Sequence, residues 1–261
     1  MRPALSSRPG SSCRRRCTVQ NDQSWSDGDA QQHTIVVPGT AQTYTATYSV
    51  SSTPRPIAFV QVQSATPQSA QSTVATTFTQ AQSAGNLNVV VVGWNESTGN
   101  ITSVTDGAGN TYQVAAATVR GSGVSQAIYY ARNIVAAGGG ANTVTVRFDK
   151  SVAYADVRIL EYSGLDQTNP FDVSRSATGF AAQANSGAAT TNFARELIVG
   201  AGTTSGIFSG AGSGFTARII TNPDYDIAED RTVTTTGSYS ATAPQSGDWV
   251  MQMATFKGTG Q

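Results

Sequence analysis

The sequence predicts an all-β protein, specifically an antiparallel two-sheet β-sandwich that is jelly-roll-like. Short runs rich in β-branched and apolar residues recur between positions 57 and 258. Turns rich in Gly, Asn and Asp separate them, as in Asp106-Gly-Ala-Gly-Asn110, because these residues tolerate a positive φ. No window shows the 3.6-residue apolar period of a capped amphipathic helix. Many short strands at close spacing are typical of sandwiches.

Residues 1–20 are predicted to form a disordered basic leader. Five of the chain's 16 basic residues lie there, without the apolar core of a secretory signal peptide. A basic tail that binds nucleic acid or a membrane surface is the alternative interpretation. Cys13 and Cys17 supply only two of the ligands that a metal site needs.

Residues 21–56 are predicted to be a hairpin remnant followed by a linker. Trp25–Asp29 is turn-like, and Thr34–Val37 and Thr43–Tyr48 have the composition of strands. This pattern resembles the last hairpin of an immunoglobulin-like module of bacterial secreted proteins, which implies that the chain is cut from a longer polypeptide. Ser51–Pro56 predicts a linker, because proline favours extended and unpaired backbone.

Residues 57–258 are predicted to form the β-sandwich domain. Asn88–Gly93 and Glu196–Ala201 are apolar on both faces, so we expect central strands covered by a sheet on one side and by loops on the other. Met251 and Met253 share one strand face and are expected to fill the core. No fixed repeat period emerges. The predicted strands are Ile57–Gln63, Ser72–Thr79, Leu87–Trp94, Ile101–Thr105, Thr111–Ala115, Gln126–Asn133, Thr143–Phe148, Val157–Tyr162, Glu196–Ala201, Phe215–Thr221, Arg231–Tyr239 and Trp249–Phe256.

The domain also resembles a β-sandwich module that is repeated in large secreted or surface proteins of soil bacteria. The resemblance implies an extracellular or cell-surface location and immunoglobulin-like neighbours, and it brings no catalytic motif. The segments that carry it are Ala84–Trp94, Val104–Tyr112, Ile128–Asn133, Ile159–Asp166 and Glu229–Arg231.

The composition excludes several classes of function. Charged residues make up 12% of the chain and the formal net charge is +0, so duplex nucleic acid is not an expected partner. The single histidine, His33, argues against His-rich zinc sites and a Ser-His-Asp triad. No apolar run reaches the length of a membrane span, so membrane insertion is not expected.

One cluster of carboxylates predicts a calcium site. Asp224, Asp226, Glu229 and Asp230 fall within seven residues, and adjacent carboxylates repel unless a cation screens them. The alternative is a solvated acidic loop with Arg231 as its counter-ion. No cofactor is required on either interpretation.

A second set of carboxylates predicts glycoside hydrolysis. Glu161 lies in an apolar strand, and Glu229 or Asp230 is its candidate partner in an acid/base pair. Hydrolysis of a glycosidic bond needs two carboxyl groups and neither histidine nor metal. The alternative is a structural ion pair between Glu161 and Arg158 or Arg132.

A third set predicts ligand binding. Exposed aromatic rings offer a flat face to a sugar ring, and polar side chains bond its hydroxyl groups. The candidate ligand-binding residues are Trp94, Glu96, Tyr130, Tyr154 and Tyr225.

These sets support three functional hypotheses. The leading one is an extracellular, non-catalytic module of a larger protein that binds a polysaccharide or cell-surface glycan. A structural or adhesive spacer follows, and a glycan-cleaving enzyme comes third. Binding and cleavage both predict a cleft lined by aromatic residues, and cleavage also predicts two carboxyl groups that face each other.

Overall fold

A computed structural model of the chain describes residues 23–26, 39–43, 45–48 and 54–261. These residues fall into two compact units that meet in sequence at Thr53 and Pro54. In the first unit, strand β1 (Gln23–Trp25) pairs antiparallel with β2 (Ala46–Tyr48). Trp25, predicted to begin a turn, ends a strand instead. The leader 1–20 with its two cysteines, His33, and the predicted strand Thr34–Val37 lie outside the described residues.

The second unit, Pro54–Gln261, is built from two consecutive halves of antiparallel strands. Alternating apolar residues and glycine-containing turns produce the strands of the first half. They are β3 (Ala58–Ala65), β4 (Gln71–Thr77), β5 (Leu87–Trp94), β6 (Ile101–Asp106), β7 (Gln113–Arg120), β8 (Ser125–Ala131), β9 (Thr143–Val152) and β10 (Asp156–Ser163).

The second half has the same architecture with shorter outer strands. Its strands are β11 (Phe171–Gly179), β12 (Gln183–Asn185), β13 (Ala189–Thr190), β14 (Glu196–Thr204), β15 (Ile207–Phe208), β16 (Thr216–Ile220), β17 (Ile227–Val233), β18 (Ser238–Tyr239), β19 (Thr242–Ser246) and β20 (Trp249–Lys257). In the described part of the chain, no helix is long and apolar enough to cross a membrane.

The strand order of the first half is repeated in the second. The five-stranded sheets run β3-β10-β5-β8-β7 and β11-β20-β14-β17-β16, and the three-stranded sheets run β4-β9-β6 and β12-β19-β15. The two orders correspond position by position, and β13 with β18 is an additional pair in the second half. The sequence shows no fixed period because corresponding strands and loops differ in length. Leu87–Trp94 and Glu196–Ala201, both predicted to be strands, lie in the corresponding strands β5 and β14.

The sheets stack in four layers, with the five-stranded sheets in the middle. One apolar cluster lies between those two sheets and includes Val89, Leu160 and Val199. The other two clusters lie between each five-stranded sheet and its outer sheet. Both faces of β5 and β14 are therefore covered by sheets, and the predicted loop cover on one side is wrong.

The predicted all-β class and the packing of antiparallel sheets as a β-sandwich are confirmed, but the domain has four sheet layers where two were predicted. The jelly-roll-like arrangement is not confirmed and stays a prediction. Each half has one five-stranded and one three-stranded sheet. Met251 and Met253 are fully buried beside Trp249, so the predicted core role of the methionines is confirmed.

Candidate functional site

Loops from both halves meet at one end of the second unit, which we call the pocket end. Strands β5 and β14 finish there, since Asn95 and Thr204 at their carboxyl ends line the same pocket. Three large aromatic side chains of the described residues are exposed: Phe180 (83%), Tyr154 (46%) and Tyr225 (43%). All three lie in loops at this end. Exposed aromatic rings concentrated at one end of a molecule indicate a contact surface.

A small polar pocket lies where the two halves join. Its volume is about 210 Å³, smaller than the usual pocket for a drug-sized ligand. Loops β3–β4, β5–β6 and β9–β10 of the first half form one side, and loops β14–β15 and β16–β17 of the second form the other. The lining residues are Gln68, Asn95, Tyr154, Thr204, Ser205, Gly206, Pro223 and Asp224.

Tyr154 and Tyr225 hold a backbone conformation that is rare for aromatic residues. Their φ angles are 47° and 55°, in the left-handed region that bulky residues avoid. Main-chain hydrogen bonds fix the Tyr225 loop, from Tyr225 N to Thr221 O (2.9 Å) and from Phe208 N to Tyr225 O (3.1 Å). Strained positions of this kind concentrate at ligand sites, where the surrounding structure holds them in place.

Asp224 is the acidic side chain of the pocket. Its Oδ1 accepts a hydrogen bond from Gln68 Nε2 (2.8 Å), which joins the two sides of the pocket. Its Oδ2 has no hydrogen-bond partner within the described part of the chain. Burial raises the pKa of Asp224, and the hydrogen bond from Gln68 opposes this rise. Oδ2 is buried, so the Asp224 carboxylate contributes to the pocket wall through its hydrogen bond with Gln68.

A buried arginine lies behind the pocket and links the two halves. Arg158 of β10 donates through Nη1 to the main-chain oxygens of Gly202 (2.9 Å) and Ile227 (2.5 Å) in the second half. Its Nε lies 2.9 Å from Asp156 Oδ1, and its Nη2 lies 3.5 Å from Asp226 Oδ2. Both acids and the arginine are buried. The guanidinium group is therefore removed from water, and the carboxylates and main-chain oxygens around it compensate its charge and accept its hydrogen bonds.

This arginine cluster is connected to the pocket wall. Thr204, a lining residue, donates its main-chain N–H to Asp226 Oδ1 (2.9 Å). Burial raises the pKa of both Asp156 and Asp226, and Arg158 opposes the rise. Through the hydrogen bond from Thr204 N, the cluster fixes the backbone of one residue that lines the pocket.

The predicted catalytic pair is not brought together. Glu161 is buried within the first half, where it accepts hydrogen bonds from Gln61 Nε2 (2.6 Å) and Asn86 Nδ2 (2.7 Å). Glu229 points into the second half, where Gly212 N donates to its Oε2 (2.8 Å). Both five-stranded sheets separate the two carboxyl groups, and packed sheets are about 10 Å apart. Asp230 points between those sheets, on the opposite side of β10 from Glu161.

The predicted ion pair of Glu161 with Arg158 or Arg132 is also corrected. Among the described residues, the Glu161 carboxylate accepts hydrogen bonds from the uncharged side-chain amides of Gln61 and Asn86 and from Ser83 N. Alternation along β10 places Arg158 and Glu161 on opposite faces of the sheet.

The four predicted calcium ligands do not converge on one point. Glu229 and Asp230 are neighbours on β17 and therefore point to opposite faces. Asp230 accepts two hydrogen bonds from Arg218, at 2.7 and 2.8 Å. Asp226 faces Arg158, and only Asp224 reaches the pocket. No group of three or more potential acidic, histidine or cysteine metal ligands occurs among the described residues.

The predicted ligand-binding residues divide into two groups. Tyr154 lines the pocket, and Tyr225 is exposed next to its lining residue Asp224. Trp94 and Tyr130 are buried in core clusters, so their predicted surface role is wrong. Glu96 pairs with Lys150 (2.9 Å) and does not line the pocket. Alternation along the strand does not distinguish surface residues from core residues here, because both faces of the central strands are buried.

Sequence reasoning missed Gln68, Ser205 and Arg158 as parts of the site. Gln68 and Ser205 lie in ordinary polar loops, and nothing in the sequence distinguishes them from other turns. Asn95, which lies between the candidate ligand-binding residues Trp94 and Glu96, lines the pocket. No known family, curated protein or solved structure matches the chain.

Proposed function

We propose that Pro54–Gln261 is a non-catalytic carbohydrate-binding module of a larger extracellular or cell-surface protein. The observation that carries this proposal is the pocket in which the exposed Tyr154 lies beside Asp224, Asn95 and Gln68. Its ligand would be a polysaccharide or cell-surface glycan.

Sugar recognition fits the chemistry of these side chains. An amide group both donates and accepts hydrogen bonds, and a carboxylate accepts them, so together they match the hydroxyl groups of a pyranose. An aromatic ring provides the apolar face against which the C–H groups of the sugar pack. Asp224, Asn95 and Gln68 supply these polar groups among the residues that line the pocket. The shallow, polar pocket favours a single sugar unit over a large apolar ligand.

The alternative functions have less support. Glycoside hydrolysis requires two carboxyl groups facing each other across a cleft, and the predicted pair lies on different sides of two sheets. A spacer predicts that every large aromatic side chain is buried, whereas Tyr154, Tyr225 and Phe180 are exposed. The calcium site stays a prediction.

The test measures binding and cleavage in the same tubes. The full chain is mixed with insoluble cellulose, xylan, mannan, chitin and β-glucan, and protein depletion and new reducing ends are recorded. We expect depletion by at least one polysaccharide without new reducing ends. Tyr154→Ala and Asp224→Asn should each reduce depletion, since an anchoring side chain contributes about 1–2 kcal/mol or more. A parallel series with EDTA tests the calcium prediction.

Two control variants at the opposite end of the unit make the result specific. Asp166→Asn removes a partly exposed carboxylate after β10, and Val135→Ala shortens an exposed side chain after β8. Both should bind as the wild type does. Absence of depletion by every polysaccharide would refute the proposal and favour a spacer. New reducing ends would instead establish an enzyme.

A further inference from the structure

Phe180 is a second exposed aromatic feature of the pocket end, outside the pocket itself. It lies in the β11–β12 loop with 83% of its surface exposed. Fixed hydrogen bonds hold the following residue, because Ala181 O accepts from Trp249 Nε1 (3.0 Å) and from Gln245 Nε2 (2.5 Å). The loop therefore presents the ring from a rigid base, although exposure of an apolar side chain to water is unfavourable.

The repeated strand order places Phe180 in a position that corresponds to the pocket. The β11–β12 loop is the counterpart of the β3–β4 loop, which contributes Gln68. Likewise, the β19–β20 loop with Asp248 corresponds to the β9–β10 loop with Tyr154. The β7–β8 turn, Gly121–Val124, corresponds to the β16–β17 loop that contributes Asp224. The second half thus repeats the frame of the pocket on the other side of β5 and β14.

Ser205 connects the pocket to the corresponding loop of the second half. This residue lines the pocket, and its main-chain N–H donates to Asp248 O (2.9 Å). Asp248 N in turn donates to Ser205 Oγ (3.0 Å). The pocket is therefore linked directly to the β19–β20 loop, which is the counterpart of the Tyr154 loop in the second half.

The separation of the two positions follows from the sheet order. Asp224 precedes β17 and Phe180 follows β11, and three inter-strand spacings separate these strands. At about 4.8 Å per spacing, the distance is about 14 Å. This span is longer than one pyranose ring with its substituents.

We propose that the ligand is a linear polysaccharide that crosses the pocket end, with one sugar unit in the pocket and a later unit against Phe180. This inference rests on the proposed function and extends it from a single sugar to a chain. The chain neighbours of Phe180 on its carboxyl side, Ala181 and Ala182, are small and exposed, so the ring has no adjoining large apolar side chain there, which suits a sugar better than a protein partner. Protein interfaces bury larger areas with several neighbouring apolar anchors.

The experiment compares short and long ligands by titration calorimetry on the full chain. The probes are soluble oligosaccharides of cellulose, xylan, mannan and chitin, from disaccharides to hexasaccharides. We expect Phe180→Ala to leave the disaccharide Kd within about twofold and to weaken hexasaccharide binding by about tenfold. Tyr154→Ala should weaken both. Phe180→Tyr should keep wild-type affinity, and Val135→Ala is the matched control for an exposed apolar side chain.

The outcomes separate this inference from the function on which it rests. If the wild type binds the hexasaccharide and Phe180→Ala binds it equally well, the second position is refuted and the pocket remains. If Phe180→Ala weakens binding of the disaccharide and the hexasaccharide equally, the inference that the ligand spans two positions is also refuted. If the wild type binds none of the probes, the carbohydrate function itself fails. Unfolding is excluded by melting curves, which should not change because Phe180 is exposed.

Discussion

Replacement of Arg158 by methionine tests whether this residue holds the two halves together. Methionine keeps most of the apolar stem and removes the guanidinium group. Two main-chain oxygens of the second half, of Gly202 and Ile227, then lose their donor. The Asp156 carboxylate loses its buried cation, from which it is 2.9 Å away.

The size of the loss follows from these contacts. Removal of one partner of a buried ion pair costs about 3–5 kcal/mol, because the remaining charge stays desolvated. We therefore expect the free energy of unfolding to fall by about 4 kcal/mol at pH 7. The loss should be smaller near pH 4, because Asp156 can then accept a proton and no longer needs a cation. The double variant Arg158→Met/Asp156→Asn should recover part of the stability at pH 7.

Urea denaturation followed by tryptophan fluorescence measures this effect, since Trp94 and Trp249 lie in different core clusters. The chain has a third tryptophan, Trp25, outside the second unit, and Trp94 and Trp249 are expected to report one transition in the wild type. A loss below about 1 kcal/mol would refute the structural role of Arg158. A loss of equal size at pH 4 and pH 7 would refute the charge-based reasoning, although the hydrogen bonds would still matter.

The other predictions concern pH and packing. Burial raises the pKa of Glu229 from 4.5 to about 7, so the folded state binds its proton more tightly than the unfolded state. Stability should therefore fall by up to about 3 kcal/mol as the pH rises from 4.5 to 7. Glu229→Gln should remove this contribution, and an unchanged pH profile in denaturation experiments would contradict it. Leu160→Ala leaves a cavity between the five-stranded sheets and should cost about 2–5 kcal/mol in urea denaturation. The exposed Val135→Ala control should change stability by less than about 0.5 kcal/mol, and an equal loss in both variants would contradict the four-layer packing.

The two halves share one strand order, but the acidic pocket is present on one side only, because corresponding loops differ. The β16–β17 loop carries Asp224 and Tyr225, whereas the corresponding β7–β8 turn is short and rich in glycine. Loops are free to differ in length and composition because they contribute little to the packed core. The two halves therefore share one framework, and the acidic pocket occurs only where the β16–β17 loop contributes Asp224.

The positions of most strands were predictable from the sequence. Alternation of apolar residues and turn chemistry are local properties, so Leu87–Trp94 was predicted with the bounds that β5 has. The core role of Met251 and Met253 was predictable for the same reason, since alternation defines one face. The exposed Tyr154 and Tyr225 were included among the candidate ligand-binding residues, and both lie at the pocket end.

The tertiary structure alone decided which candidates share a site. Trp94 and Tyr130 were predicted to be accessible, but a strand covered by sheets on both faces leaves no side chain for the surface. Glu161 and Glu229 were paired on chemical grounds, and the stacking of two sheets separates them. Strands and turns were predictable because they depend on residues that are neighbours in the chain. The pocket joins Gln68 to Asp224, 156 positions apart in the chain, and only the packing of the two halves brings them within 2.8 Å.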